Sequence, residues 1–263
     1  MNVSANIKKL KAKGLLWSIL RILEKIEFRI FRIKRQKSKA IEFLCNGDCI
    51  EIGALSTPAI LPNADSIEYA DIYSADEARL SLENLGYLGY HGQKFVDVTI
   101  KFDSTSPPLK NVASASKDCI FSSHSLEHSP NPISALVDYL RVLKSGGIIY
   151  SIIPNKNFTY DKKRELTKVE YLIERYQLDI WTYNLDQYHD VFNNTIDHEV
   201  YSNKTNQDIV KAYNENDGHH HIFVYGPENT IQIIDFLTEN FGCTLVHFDI
   251  SNQSDIHFAL KKD

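Results

Sequence analysis

Apolar and polar positions along the chain fall into three regimes. Over the first 40 residues, Leu15, Leu16, Ile19, Leu20, Ile22, Leu23, Ile26, Ile30 and Ile33 recur at three- and four-residue spacing. Arg21, Lys25, Arg29 and Arg32 fall mostly on the other side, which predicts a basic amphipathic helix with Trp17 and Phe28 as large anchors. Arg21, Glu24, Lys25 and Glu27 interrupt the apolar run well short of the roughly 20 residues a membrane span needs, so neither a span nor a secretory signal is expected. From residue 48, short apolar runs alternate with helical patterns. Asp48–Ile52, Ser66–Asp71, Lys94–Val98, Asp118–Ser122 and Ile148–Ile153 read as five strands. A helical or mixed connector begins at Glu77–Leu85, and a helix is predicted over Pro132–Leu143, with Lys144-Ser145-Gly146-Gly147 as its stop.

Parallel strands joined by crossover helices follow from this alternation, and the unbroken apolar run of strand five suits burial on both faces. The third regime, residues 155–221, is rich in Tyr, Asn, Asp and Lys and too long for a simple loop. It reads as an insertion with one helix at Lys168–Tyr176. A helix over 227–240 and two strands, Thr244–Ile250 and His257–Leu260, close the pattern as an antiparallel hairpin. The expected fold is therefore α/β: a Rossmann-like, doubly wound, mostly parallel sheet in a domain spanning 41–263, preceded by the helical arm of 1–40.

Charge separates the arm from the body. Residues 1–40 carry 12 Lys/Arg and 2 Glu, whereas the remainder carries 17 Lys/Arg and 32 Asp/Glu. An acidic body argues against a nucleic-acid partner. For the arm two readings stand: peripheral contact of residues 8–35 with an anionic membrane surface, or packing on the body or on a second copy in a homodimer. Cys45, Cys49, Cys119 and Cys243 lack the pairing of a zinc site or a disulfide scaffold, and three of them abut predicted strands. They read as buried small apolar residues in a reducing, cytoplasmic setting.

Candidate chemistry begins at Cys49-Ile50-Glu51-Ile52-Gly53-Ala54-Leu55-Ser56-Thr57-Pro58, with Asp71 20 residues after Glu51. An apolar run ending in an acid and a glycine, then a second run ending in an acid, is the pattern of a first β-α-β unit that binds a nucleoside. The glycine admits close backbone approach, and the later carboxylate can accept both ribose hydroxyls. With one glycine there is no phosphate-cradling G-x-G-x-x-G loop, so an adenosyl ligand without pyrophosphate fits better than a dinucleotide. S-adenosyl-L-methionine is the expected cofactor.

Together with Asp97, Ser122-Ser-His-Ser-Leu-Glu-His-Ser-Pro-Asn-Pro132 and Arg141-Val-Leu-Lys-Ser-Gly-Gly147, these motifs resemble class I S-adenosylmethionine-dependent methyltransferases. Ile153-Pro-Asn-Lys-Asn-Phe-Thr-Tyr-Asp161 and His221-Ile-Phe-Val-Tyr-Gly-Pro-Glu-Asn229 are similar to a subgroup associated with bacterial surface-polysaccharide biosynthesis. The resemblance covers roughly residues 45–260. It implies that Glu51, Gly53 and Ala54 line the methionine and sugar side of the cofactor. It further implies that Asp71 and Ile72 meet the ribose, that Asp97 and Val98 meet the adenine, and that Ser123 and His124 sit near the sulfonium. The motif-one loop departs from the family pattern in its single glycine and in Leu55, where many relatives carry glycine.

Methyl transfer to a sugar hydroxyl benefits from a base near neutrality, for which histidine is suited. His128 lies four residues after His124 and would share its helical face; both are candidate catalytic groups. His124-Ser-Leu-Glu-His128 also matches H-x-x-E-H, but at a strand end rather than on a long helix, so no metal centre is expected. In His219-His220-His221 the three side chains cannot converge, and His221 is the one expected to face an acceptor. Tyr160, Asp161, Arg164, Tyr183, Tyr188 and His189 of the insertion suit a small-molecule or glycan acceptor. The expected activity is O-methylation of a glycan, nucleotide sugar or surface polysaccharide. A small-metabolite or lipid-linked methyltransferase and a catalytically silent scaffold subunit of the same fold are the alternatives.

Overall fold

The computed structural model describes residues 39–84, 94–195, 204–215, 220–251 and 253–263, all within the compact unit Lys39–Asp263. The basic arm and the contacts expected of residues 8–35 lie outside the described residues. Among the described residues, no helix is long and apolar enough to cross a membrane.

One seven-stranded sheet organises the unit, in the order β3-β2-β1-β4-β5-β7-β6. Its strands are β1 (Asn46–Ile52), β2 (Asn63–Asp71), β3 (Ile100–Lys101), β4 (Lys117–Ser123), β5 (Leu143–Pro154), β6 (Cys243–Asp249) and β7 (Asp255–Lys262). β1 to β5 pair in parallel, whereas β7 runs antiparallel between β5 and β6. The expected mixed sheet with its closing hairpin is thus present. The chain winds outward from β1 to β3, then restarts at β4 on the other side of β1. That reversal leaves a crevice at the carboxyl ends of β1 and β4.

Both faces of the central strands are buried, which explains their continuous apolar runs. Along β4 and β5, Ile120, Ile149 and Ile153 point into the larger core, while Cys119, Phe121, Ile148, Tyr150 and Ile152 point into the smaller one. The larger core is covered by α3 (Pro132–Val142) and α7 (Pro227–Asn240), which bury Ile133, Leu136, Leu140, Ile233 and Leu237. The smaller core takes Ile41 from α1 (Lys39–Leu44) together with Cys45, Cys49 and Cys119. All four cysteines are free and buried, as expected. A hydrogen bond with Cys119, together with burial, pushes the Cys49 thiol far up, which makes it inert.

Three sequence expectations are corrected. Lys94–Val98 is not a strand: the Val96 amide donates to the Leu55 carbonyl (3.0 Å), tying this segment to the loop after β1. Pairing with β2 starts only as Thr99 N donates to Tyr69 O (3.0 Å), so β3 is the two residues Ile100–Lys101. The Gly146-Gly147 pair does not cap α3, whose last residue is Val142; Leu143 is already extended. Lys117 pairs with Leu143 and Cys119 with Ile148, so residues 144–147 form a bulge, with Gly146 at φ +81°. Among the described residues, the insertion holds three α-helices rather than one: α4 (Val169–Gln177), α5 (Leu185–Asn194) and α6 (Asn206–Asn214). The capping boxes Asn184/Gln187 and Thr205/Asp208 start the two that apolar periodicity did not reveal. The connector helix α2 spans Ala75–Asn84.

Candidate active site

On the β1–β2 side, the strand ends and their loops converge. Gly53 leaves β1 at φ +71°, a conformation that favours glycine, and its amide donates to Ala70 O of β2 (3.0 Å). A Cβ there would meet Ser125 Cβ only at 3.4 Å, so conformation rather than space demands glycine. Ala54 is buried beside it. Both Glu51 carboxylate oxygens accept from the Ala59 amide (2.9 and 3.1 Å), which folds the loop back on the strand. Asp71 ends β2 with 7% of its surface exposed, and its Oδ1 accepts from the Tyr73 amide (3.2 Å). Burial pushes its carboxyl up to about 6, against the lowering effect of the Tyr73 and Ile72 amides. A desolvated carboxylate at a strand end beside a turn built on Gly53 fits the diol of a ribose.

Asp97 is exposed and precedes β3, next to half-buried Val98, so it does not end a strand. The acid that follows β3 is Asp103. Thr105 donates to it from Oγ1 (2.6 Å) and from its amide (2.8 Å), holding its carboxyl down at about 2. Sequence reading missed it because the strand was placed six residues early.

On the β4 side the expected helical face is absent. Ser123 is half-buried at the end of β4, and His124 turns out of the strand at φ +53°, its amide donating to Ile152 O (2.8 Å). Leu126–His128 is a single 3₁₀ turn, so His124 and His128 do not share a helix face. His221 arrives instead. The amides of Ile222 and Phe223 both donate to the Glu127 carbonyl (3.0 and 3.2 Å), docking the end of the insertion onto this turn.

The result is a bracketed pair of histidines. His124 Nδ1 lies 3.4 Å and His221 Nε2 lies 3.7 Å from Glu127 Oε1. On its far side each ring meets a second carboxylate: His124 Nε2 meets Asp255 Oδ1 at 2.9 Å, and His221 Nδ1 meets Asp161 Oδ2 at 2.7 Å. Glu127, Asp161 and Asp255 are all buried. Burial raises the Asp161 carboxyl, but His221 and Arg164 outweigh it and hold it below the usual range. Burial and the Glu127 charge push the Tyr225 phenol far up. The His128 ring sits edge-on to His221 with centroids 5.0 Å apart, and Tyr160 packs on the same ring at 4.7 Å.

Arg164 ties this cluster to the insertion. It donates to Asp161 Oδ1 (2.8 Å), to Asp190 Oδ2 (2.8 Å), to Ile222 O (3.0 Å) and to His221 O. Beyond it lies a groove of ≈ 390 Å³ whose wall includes Glu165, Tyr171, Asn184, Asp190 and Phe223. Tyr183 and Tyr188, expected to meet an acceptor, are instead core residues of the insertion, packed edge to face at 5.9 Å. His220 turns away from His221 to pack on Phe192 (5.0 Å). Asp255 drew no attention in the sequence. Its one signal was an acid just before the apolar run of the closing strand.

No curated protein matches the chain in sequence. Residues 75–151 match the family model described as a methyltransferase domain, a stretch running from α2 into β5 and including the Ser122–His128 edge. Among solved structures, one assigned as an S-adenosyl-L-methionine-dependent methyltransferase of Methanococcus maripaludis is 15% identical, covering 93% of this chain and 91% of that one at a TM-score of 0.47. A SAM-dependent methyltransferase from Aquifex aeolicus is 11% identical (87% and 96% covered, TM-score 0.40), and one from Methanosarcina mazei is 13% identical (82% and 92%, TM-score 0.42). The matched stretch is thus a methyltransferase domain by similarity, and the strand order and the Gly53–Asp71 strand ends are consistent with that match.

Proposed function

We propose that the chain methylates a hydroxyl of a carbohydrate-like acceptor: a glycan, a nucleotide sugar or a surface-polysaccharide unit. The observation that carries this reading is the histidine–carboxylate cluster at the carboxyl edge of β4, on the side of the crevice facing Gly53 and Asp71. S-adenosylmethionine supplies a methyl group on a cationic sulfur. Asp71 accepts the ribose hydroxyls, and the Gly53 turn allows the backbone close to the ligand. A sugar hydroxyl is a poor nucleophile, so aligning it and taking its proton is the work left to side chains. His128, half-buried and edge-on to His221, is the base in this reading. The groove beyond Arg164 pairs the apolar faces of Tyr171, Ile222 and Phe223 with the polar groups of Asn184, Gln187 and Asp190, a mixture that suits the apolar face and hydroxyls of a sugar ring.

The test is S-adenosylhomocysteine release by the full chain over a panel of nucleotide sugars and oligosaccharides, with the methylated product identified by mass. His128→Ala is expected to lower turnover about 10²–10⁴-fold, the range for losing a general base, with S-adenosylmethionine affinity unchanged. Loss of cofactor affinity in that variant would make His128 structural. Turnover of lipids or small metabolites with none of sugars would replace the acceptor class, and cofactor binding without any turnover would favour a scaffold role.

A further inference from the structure

We infer that His124, Glu127 and His221 form a binding site for one divalent transition-metal ion, zinc foremost. Their ligand atoms lie within 4.8 Å of one another. The separations from Glu127 Oε1, 3.4 Å to His124 Nδ1 and 3.7 Å to His221 Nε2, exceed an ordinary N–H···O hydrogen bond. They match adjacent ligands of a tetrahedral ion: bonds of roughly 2.1 Å at a tetrahedral angle put neighbouring ligand atoms about 3.4 Å apart. Two imidazoles and one carboxylate are the donor set of zinc sites that keep a fourth position open.

The surroundings are those of a metal shell. Each imidazole offers one nitrogen toward Glu127 and has its other nitrogen on a buried carboxylate, Asp255 for His124 and Asp161 for His221. That carboxylate–histidine arrangement fixes ring orientation and raises the basicity of a ligating nitrogen. Charge agrees as well. Glu127, Asp161 and Asp255 bring three buried carboxylates to the cluster, while the buried guanidinium of Arg164, paired with Asp161, also serves Asp190. A dication would offset the remainder. His124, with 21% of its side chain exposed, leaves the site reachable from the sheet edge. His124 adopts a left-handed conformation at φ +53°, rare for a residue with a side chain and common where function constrains the backbone.

The site differs from the H-x-x-E-H reading of the sequence, because His221 rather than His128 is the second imidazole. Its role rests on the methyltransferase reading: an acceptor hydroxyl in the open position would be held and acidified, leaving His128 to take the proton. Binding itself does not depend on that reading.

The experiment is a Co(II) titration of the chelator-treated full-length chain, followed by visible absorption, with S-adenosylmethionine titrated into the same sample. One equivalent is expected, with the intense bands of a four- or five-coordinate ion, displaced by Zn(II). X-ray absorption of the zinc-loaded wild type should count two imidazole ligands. Glu127→Gln and His221→Ala are expected to weaken Co(II) at least about 100-fold, and Asp161→Asn about 10–100-fold. His247→Ala, on β6, should leave it unchanged. No Co(II) band in the wild type, one without imidazole ligands, or equal binding by folded His221→Ala overturns the site. Intact S-adenosylmethionine binding in that sample would then leave the methyltransferase reading standing.

Discussion

The β1–β2 side of the crevice and the β4 side are assembled in opposite ways. Gly53, Ala54, Asp71 and Ile72 come from two consecutive strand ends, fixed by local backbone: a left-handed glycine, an amide on a carboxylate, a parallel register from Asn46↔Asn63 to Ile52↔Ala70. His124, Glu127, Asp161, His221 and Asp255 come from four distant stretches of the chain, held by side-chain hydrogen bonds across 57 to 131 residues. The first kind of site forms whenever its strands pair. The second exists only when the insertion is docked and every buried charge has its partner. The β1–β2 side should therefore tolerate damage elsewhere, and the β4 side should not.

The sharpest way to break this contrast is Arg164→Ala. Arg164 is 1% exposed and serves two carboxylates and two carbonyls. Its removal leaves Asp161 buried without its guanidinium, a change that costs about 3–5 kcal/mol in comparable sites. The loss is expected mainly in the insertion: native-state hydrogen exchange should rise in α4 to α6 more than in β1 and β4, and turnover should fall with little change in cofactor affinity. Equal loss in both regions would mean that the two sides form one cooperative unit.

Asp71→Ala tests the other side. In the proposed site Asp71 receives the ribose hydroxyls, so its removal should weaken S-adenosylmethionine by roughly 1.5–3 kcal/mol, read by titration calorimetry. The docked insertion should not notice, so hydrogen exchange in α4 to α6 should match the wild type. A smaller effect is expected from Gly53→Ala. Its Cβ has room against Ser125, and what it costs is the left-handed conformation, about 1–2 kcal/mol. That cost should appear in the stability of the whole sheet rather than at the acceptor edge.

The same contrast decides how much was legible in the sequence. Periodicity and a glycine between two acids sufficed for the sheet and for placing Asp71 at the end of β2, because those signals are local. The 227–240 helix was equally clear, since Pro227 opens it and its apolar face is continuous. Strand β3 was misplaced because Phe95 and Val96 are apolar without being a strand: Phe95 is buried, and the Val96 amide ties the segment to the loop after β1. Two insertion helices were missed because they are polar and are announced by their caps rather than by an apolar stripe. Glu127 and Asp255 could not be matched to histidines from spacing, since the partners are set by the docking of His221 and by the antiparallel pairing of Pro154 with Asp255. Tyr183 and Tyr188 looked like acceptor contacts because nothing in composition separates a tyrosine that stacks on a ligand from one that fills a small core.

The finest test is a proton on Asp71. Its carboxyl is raised to about 6 by burial, so the folded state holds this proton more tightly than the unfolded chain does. The sign follows from that direction. Below the ordinary carboxylate range both states are protonated and the group contributes nothing; as pH rises toward 6 and beyond, the charged form is buried and the ligand-free fold is destabilised. Asp71→Asn should therefore raise the melting temperature of the ligand-free chain at pH 7.5, with the advantage shrinking toward pH 4. Cofactor binding should run the other way, because the ionised form is the better acceptor for two hydroxyls and the better neighbour for a cationic ligand. Affinity for S-adenosylmethionine should fall as pH drops through 6, by about tenfold at pH 5, where one pH unit corresponds to about 1.4 kcal/mol. In Asp71→Asn the affinity should be lower and flat over the same range. A wild-type affinity independent of pH between 5 and 7 would mean that Asp71 does not face the ligand, and that the locally built half of the crevice serves something other than the ribose.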